Sequence, residues 1–183
     1  MSVAAGRVLA VHSRPDHALA KEARAAIRLV AGHGVEGDVH AGAMRRHRAR
    51  FRPTIEVPNL RQVHLIQAEL FDELAAKGFA VAAGEMGENV TTAGIDLLAL
   101  PTGARLRLGE RAVVELTGLR TPCWKLDRWQ QGLMAATIER GPRRRIIRRA
   151  GVMAIVLADG EVRAGNAVAV ELPPAPYRPL APV

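Results

Sequence analysis

The sequence predicts a mainly β fold, a β-barrel with a few short helices. Short runs of β-branched and aliphatic residues recur along the chain, and glycine, proline or aspartate separates them. Many short strands at close spacing are typical of a closed or nearly closed barrel. A length of 183 residues is enough to bury one core but too short for two ordinary domains.

The strand pattern begins near the N-terminus, where residues 6–12 form a β-branched and aliphatic run that ends before Pro15. Residues 61–66 alternate polar and apolar side chains, as a half-buried strand does. A helix is predicted next at 67–77, because apolar residues recur at 70, 71 and 74 and Gly78 follows. The remaining predicted strands are 89–92, 105–108, 112–117, 152–157, 161–163 and 167–172.

Five segments do not follow this pattern. The glycine-rich stretch 32–42 predicts a tightly bent or closely approached backbone, and the basic, proline-punctuated segment 43–59 predicts a mobile loop that a ligand could order. Residues 124–129 and 133–140 suit short helices. The proline-rich end predicts an extended tail, surface-hugging or disordered, so we expect a barrel domain at 1–172 and a tail at 173–183.

Composition narrows the function classes. Aromatic residues make up only 3% of the chain, which weakens binding of single-stranded nucleic acid by stacking. No apolar stretch approaches the roughly 20 residues that cross a bilayer, and no signal core begins the chain. We therefore expect a soluble cytoplasmic protein without a membrane partner.

The net charge of +8 concentrates in two basic runs, 45–52 and 143–149. Such runs indicate an anionic partner, either a nucleic acid or a phosphorylated small molecule, or only a solvated arginine-rich surface. If both runs converged near the single cysteine, they would form a positive cavity mouth suited to a phosphorylated ligand.

Cys123 is the only cysteine, so it can form neither an internal disulfide nor a cage of several thiolates. It is either a buried packing residue or a reactive thiol. Arg120 and Lys125 are close in sequence, and nearby positive charge favours the thiolate, the form that binds soft metals and attacks sulfur donors. Trp124 could instead cover the sulfur with an apolar wall.

Other polar residues are candidates for binding. Asp38 and His40 would project to one side of an extended segment; alternatively, Asp38 could cap turn amides while His40 packs. A zinc site built from His33, Asp38, His40 and His47 is a further alternative.

Two adjacent pairs complete the candidates. Glu88 and Asn89 offer a carboxylate and an amide, which together can accept hydrogen bonds from a ligand and donate them to it. Arg61, with Gln62, could clamp a phosphate, or Arg61 could be an ordinary surface residue.

Six blocks occur in the order expected of one family: GVEGDVH at 34–40, RQVHLI at 61–66, GEMGENV at 84–90, LPTGARLRLG at 100–109, TPC at 121–123 and GVMAIV at 151–156. With these blocks the sequence resembles the MOSC family, named after the C-terminal domain of molybdenum cofactor sulfurase, from about residue 6 to 172. The resemblance implies a β-barrel and binding of the molybdenum cofactor, a phosphorylated pterin, as a stand-alone member.

The resemblance also implies roles for the candidates. Cys123 would be the reactive residue, as a sulfur ligand of molybdenum or a persulfide carrier. The cofactor-binding residues would be Asp38, His40, Arg61, Gln62, Glu88, Asn89, Arg120 and Lys125.

Partners follow from the same resemblance. Relatives reduce N-hydroxylated compounds with a separate electron donor, so we expect a redox or sulfurase partner protein. No pyridoxal phosphate is expected on this chain, because no lysine domain for it precedes the module. Alternatives are a non-catalytic module that binds a nucleotide or nucleic acid, and an assembly subunit of a molybdoenzyme.

Overall fold

Seven strands close into a β-barrel in the computed structural model, which describes residues 3–47 and 53–183. Numbered along the chain, the strands are β1 (Val3–Ser13), β2 (Glu22–Arg24), β3 (Ile27–Val30), β4 (Gly34–Val35), β5 (Met44–His47), β6 (Ile55–Pro58), β7 (Val63–Gln67), β8 (Val90–Ala93), β9 (Arg105–Leu108), β10 (Ala112–Leu119), β11 (Ile138–Arg140), β12 (Ile146–Arg148), β13 (Val152–Ala158), β14 (Gly160–Val162) and β15 (Ala167–Glu171).

The barrel runs in the order β1, β15, β9, β10, β13, β7, β8 and back to β1, with β2 attached to β1. Neighbouring strands are antiparallel except β7 and β8, which are parallel. The helix α1 (Glu69–Ala76) lies between these two strands in the chain. The predicted mainly β barrel with a few short helices is confirmed.

Alternation of side chains builds the barrel core. Along β10, buried and half-buried residues alternate, and β9 alternates exposed Arg105 and Arg107 with buried Leu106 and Leu108. This period of two sends aliphatic side chains from every barrel strand to the interior. The core therefore consists of Val, Leu, Ile and Ala, as the low aromatic content predicts.

A second apolar cluster holds the helices against the outside of the barrel. Its buried members are Ile66, Leu70, Leu74, Met86, Leu126, Leu133 and Ala150. Leu126 comes from α2 (Lys125–Trp129) and Leu133 from α3 (Leu133–Ala136). Because this cluster fixes α2, it also fixes the chain just before it, where Cys123 lies.

Two predicted segments differ from the structure. The predicted loop at 43–59 is wrong at both ends, because β5 and β6 pair as a hairpin with Met44 opposite Pro58; residues 48–52 lie outside the described residues. β6 is largely exposed, so this hairpin does not need the apolar alternation of a barrel strand. The predicted helix at 133–140 is wrong after Ala136, because Ile138–Arg140 pairs with Ile146–Arg148.

The proline-rich end follows the barrel surface. Thr102 donates its amide to the Arg178 carbonyl and Leu119 donates to Ala181, at 2.8 Å each. Leu180 is buried in the barrel's apolar cluster. A 3₁₀ helix at Leu97–Ala99 lies in the same region, and another at Pro142–Arg144 connects β11 to β12.

None of the helices in the described ranges has the length and apolar character needed to cross a membrane.

Candidate functional site

A cavity of about 210 Å³ brings Cys123 together with four cationic side chains. Its lining consists of Ala18, Leu19, Lys21, His40, Arg61, His64, Gly87, Asn89, Arg120, Thr121, Cys123, Lys125 and Met153. Lysine and arginine are present in this lining, and no carboxylate is among the described residues that form it. The cavity is therefore electropositive.

Cys123 is a half-buried free thiol in the segment between β10 and α2. The Trp124 side chain does not cover it: the indole is 58% exposed and stacks with the Arg128 guanidinium 5.4 Å from its ring centre. Cys123 therefore lines the electropositive cavity and is not sealed behind Trp124.

Arg120 directly follows β10 and is held in place by its backbone. Its amide donates to the Gly151 carbonyl at 3.0 Å, and only 8% of the residue is exposed. Burial lowers the pKa of Arg120, while the Cys123 side chain and the Glu88 carboxylate raise it. The Nη1 atom is buried and has no hydrogen-bond partner among the described residues, so this guanidinium has a donor left for a ligand.

Gly151 allows this arrangement of strands. Its φ is +94°, and a Cβ at this position would overlap the Leu65 carbonyl oxygen and approach His64 Nε2 to 2.8 Å. Only glycine accommodates both the backbone conformation and the close contact. The block GVMAIV at 151–156 therefore helps to set the position of Arg120.

A buried ion pair adjoins the cavity, with Lys21 in the lining and Asp38 behind it. Lys21 Nζ is 2.9 Å from Asp38 Oδ1, and the two side chains are 1% and 0% exposed. Burial would raise the pKa of Asp38, but the hydrogen bond with His40 and the Lys21 charge outweigh it and hold that pKa well below its usual range. Burial lowers the pKa of Lys21 against the attraction of Asp38.

Asp38 also organises the backbone around it. Its carboxylate accepts hydrogen bonds from the amides of Arg14 and His40, at 3.1 and 3.0 Å, and from Asn89 Nδ2 at 3.1 Å. Turn capping, one of the two readings of this residue, is therefore observed. His40 is largely exposed and reaches the cavity, whereas Asp38 does not line it.

Glu88 and Asn89 lie at different distances from the cavity. Asn89 lines it, donates to the His12 carbonyl at 3.2 Å and accepts the His64 amide at 3.1 Å. Glu88 is fully buried, does not line the cavity, and accepts hydrogen bonds from Gly84 and Thr91. Burial raises the pKa of the Glu88 carboxyl.

Arg61 and Gln62 point to different surroundings, as successive residues of an extended segment do. Arg61 lines the cavity and donates from Nη2 to the Val183 carbonyl, and its buried Nε has no partner among the described residues. Gln62 accepts the Val156 amide at 3.0 Å and does not reach the cavity.

Lys21 and His64 line the cavity without having been predicted as site residues. His64 is buried on β7, and its ring donates from Nε2 to the Ala150 carbonyl at 2.8 Å. Burial and the Arg120 charge lower the pKa of His64 well below its usual value, so the ring is neutral at pH 7. The sequence could have indicated His64, because it belongs to the family block at 61–66. Lys21 belongs to none of the six blocks, so no sequence feature indicated it.

The second basic run does not reach the cavity that contains Cys123. Arg145, Arg148 and Arg149 line a different cavity, so the predicted positive mouth is wrong for the second run. Burial lowers the pKa of Arg61, and the charge of the nearby Arg45, from the first run, lowers it further. Residues 48–52 of that run lie outside the described residues.

Among the side chains that the structure describes, which do not include that of His47, no three histidine, cysteine, aspartate or glutamate side chains are grouped so that they could hold a metal ion. The alternative of a zinc site is therefore not supported there. Cys123 could bind a metal only as one ligand among others that a bound group supplies.

Comparisons with known proteins agree with the barrel. The family model of the MOSC domain matches residues 36–169. No curated protein sequence matches the chain.

Solved structures resemble the chain along most of its length. YuaD from Bacillus subtilis is 23% identical with a TM-score of 0.78, covering 95% of this chain and 98% of that one. YiiM from Geobacillus stearothermophilus is 18% identical with a TM-score of 0.66, covering 91% and 75%. YiiM from Escherichia coli is 18% identical with a TM-score of 0.62, covering 94% and 73%. At these identities the likeness shows the fold alone.

Proposed function

Because the chain belongs to the MOSC domain family, we propose that it binds the molybdenum cofactor in the cytoplasm. Cys123 would be a sulfur ligand of molybdenum or the carrier of a persulfide. One observation carries this proposal: the half-buried thiol shares a cavity with Arg120, whose buried Nη1 has no partner among the described residues.

The residues of the cavity fit this cofactor chemically. A thiolate is a suitable soft ligand for the metal, and arginine and lysine suit a phosphate. Buried donors without partners on Arg61 and Arg120 are available to an anionic or carbonyl-bearing ligand. A volume of about 210 Å³ is below the range of about 300–1,000 Å³ that encloses drug-sized ligands, so the cavity would hold only part of the cofactor.

The residues of the cavity would bind the cofactor and orient it. Arg61, Arg120 and Lys125 would neutralise the phosphate charge, and neutral His64 and Asn89 would shape the wall. The molybdenum, when bound, would supply two-electron redox chemistry. Reduction of an N-hydroxylated substrate breaks the N–O bond, takes two electrons from a separate donor protein and two protons, and releases water.

Sulfur transfer is the other form of the same proposal. The Cys123 thiolate would attack the terminal sulfur of a persulfide on a sulfurase partner. A new sulfur–sulfur bond would form on Cys123, and the partner's thiolate would leave. Mass spectrometry distinguishes this form, because Cys123 would then carry one additional sulfur atom that a reductant removes.

The experiment compares molybdenum and pterin content of proteins purified from a host that makes the cofactor. Cys123→Ser should fold normally, since the side chains have nearly equal size, but lose at least about tenfold in molybdenum content or in sulfur transfer. Arg120→Gln should weaken pterin retention while the thiol remains. Arg111→Gln, at an exposed turn, is the matched control and should retain both.

Two results would overturn the proposal. One is a wild-type protein that holds neither molybdenum nor pterin and accepts no sulfur. The other is unchanged metal content and activity in Cys123→Ser.

The carboxylate-free, cationic lining favours a second candidate, a non-catalytic module that binds a nucleotide or nucleic acid. Binding would then weaken steeply with salt and would not depend on Cys123.

If the protein were an assembly subunit of a molybdoenzyme, it would hold the cofactor only in the complex.

A further inference from the structure

A second and larger cavity, which we name the tail groove, lies between β12 and the proline-rich end. It has a volume of about 710 Å³, within the range of functional ligand sites. Its walls are the 3₁₀ helix region at 96–101, residues 145–149 and the tail residues 177 and 179–182. None of the described residues that line the Cys123 cavity lines this groove.

The strand β12 presents a free edge to the groove. β12 pairs with β11 alone within the described part of the chain. The Arg149 amide donates to the Thr137 carbonyl on the β11 side. Because hydrogen-bonded and non-hydrogen-bonded pairs alternate in an antiparallel ladder, the backbone groups of Ile146 and Arg148 point to the opposite edge. This edge can accept another strand.

The side chains along this edge are cationic. Arg149 is paired with Glu73, at 2.7 Å, and with Glu139, at 3.5 Å. Arg145 and Arg148 form no ion pair with any described carboxylate, although both line the groove. Two arginines on either side of Ile146 are therefore available to an acidic ligand.

Apolar side chains complete the groove. Ile146 is 50% exposed and Tyr177 is 55% exposed, and Leu98, Leu100 and Leu119 also contribute to the lining. Exposed apolar surface next to a free strand edge is the combination that binds extended peptides, because main-chain hydrogen bonds and side-chain pockets act together.

We propose that the tail groove binds an extended, acidic segment of a partner polypeptide, which adds to β12 as a third strand. Carboxylates of the segment pair with Arg145 and Arg148, and its apolar side chains contact the groove. Asp96 lies among apolar side chains in the same groove, and this mixed lining fits a segment in which apolar residues alternate with acidic ones better than the continuous negative charge of a nucleic acid. A second copy of this chain, with its net charge of +8, is disfavoured by repulsion. This inference goes beyond the proposed function and does not rest on it.

The test uses the full chain and a fluorescein-labelled six-residue peptide of alternating glutamate and valine, with binding measured by fluorescence anisotropy at low salt. The Arg145→Glu/Arg148→Glu double variant should bind at least about tenfold more weakly than wild type. The matched control is Arg7→Glu/Arg111→Glu, which reverses two exposed arginines elsewhere and should bind as wild type does.

Further probes separate strand addition from charge attraction. A peptide methylated on alternate backbone nitrogens keeps its charge but loses ladder hydrogen bonds, so it should bind at least about fivefold more weakly. Cys123→Ser should bind the peptide as wild type does, which separates this result from the test of cofactor binding. A single-stranded oligonucleotide should not displace the peptide.

The inference is overturned if the glutamate–valine peptide does not bind, if the groove double variant binds as tightly as wild type, or if the methylated peptide binds equally well. Displacement by the oligonucleotide would assign the groove to nucleic acid instead.

Discussion

The Lys21–Asp38 ion pair places two opposite charges in the protein interior beside the cavity. Both side chains are essentially excluded from solvent, and burial alone would favour their neutral forms. Asp38 remains charged because amides and Asn89 donate to it as well as Lys21. Such a pair is tolerated when every oxygen is satisfied, and it becomes costly when one partner is removed.

We therefore expect Asp38→Asn to lower the free energy of unfolding by about 3–5 kcal/mol, because it leaves the Lys21 charge buried without a counter-charge. The double variant Lys21→Met/Asp38→Asn should regain most of this loss, since no isolated charge remains. Urea denaturation followed by circular dichroism measures both.

The matched control for the ion-pair variants is Glu161→Gln, which removes an exposed partner of Arg163 and should leave the free energy of unfolding nearly unchanged. A single Asp38→Asn variant as stable as wild type would contradict the role given to this pair.

The sequence predicts which segments form the cavity better than which side chains reach it. Cys123, Arg120 and Lys125 are within five positions of each other, so their proximity was visible in the sequence. Lys21 joins them only because the chain before β2 folds back beside β1. It is about 100 residues from Cys123 in the sequence, and no local pattern predicts a contact at that separation. Gln62 lies in a recognised block, yet it turns away from the cavity to bond Val156.

At the scale of elements, the connection between β11 and β12 contains the one described non-glycine residue with positive φ, Arg143 at +55°. A left-handed conformation costs an ordinary L-residue roughly 1–2 kcal/mol, and asparagine tolerates it best among non-glycine residues. The left-handed backbone at Arg143 therefore lowers the stability of the folded protein, and a different side chain at this position can reduce that effect.

We expect Arg143→Asn to raise the free energy of unfolding by about 0.5–1 kcal/mol, and Arg143→Val to lower it by about 1 kcal/mol, because a β-branched side chain is the least compatible with positive φ. Urea denaturation again provides the measurement. Equal stabilities of the two variants would show that this backbone conformation is not the one that the folded protein adopts in solution.

Strands whose side chains alternate clearly between apolar and polar were predictable from the sequence, whereas very short strands were not. β9 was predicted at its observed bounds because Arg105 to Leu108 alternates cleanly. β11 and β12 have three residues each, too few to show a period, and the apolar residues from 133 onward fit a helix equally well. β5 and β6 were missed because an exposed hairpin carries charged residues on both faces.

At the scale of the whole molecule, closure depends on β15. This strand pairs with β1 on one side and β9 on the other. Without it, both neighbours would have an open edge and the apolar residues inside the barrel would face solvent.

A chain shortened to residues 1–166 should therefore fail to fold cooperatively and should aggregate, as measured by circular dichroism and light scattering. A chain of residues 1–172 is the matched control: it keeps β15 and should unfold cooperatively, although it loses the buried Leu180. Cooperative unfolding of the shorter chain would contradict the importance of closure. Failure of the longer chain would contradict the predicted domain boundary at 172.

The fold class was predictable from strand spacing, but the order of strands was not. Pairing of β1 with β15 joins residues that are about 160 positions apart, and a pattern read along the chain contains no information on such partners. The resemblance to a family implied a β-barrel but no order of its strands.

The same closure affects the protein while a ribosome is still making it. Of the barrel strands, the eleven-residue β1 is synthesised first, and one of its two neighbours within the barrel, β15, is synthesised last. During most of translation the nascent chain therefore exposes a long hydrogen-bonding edge, and chaperone binding is most useful in that interval.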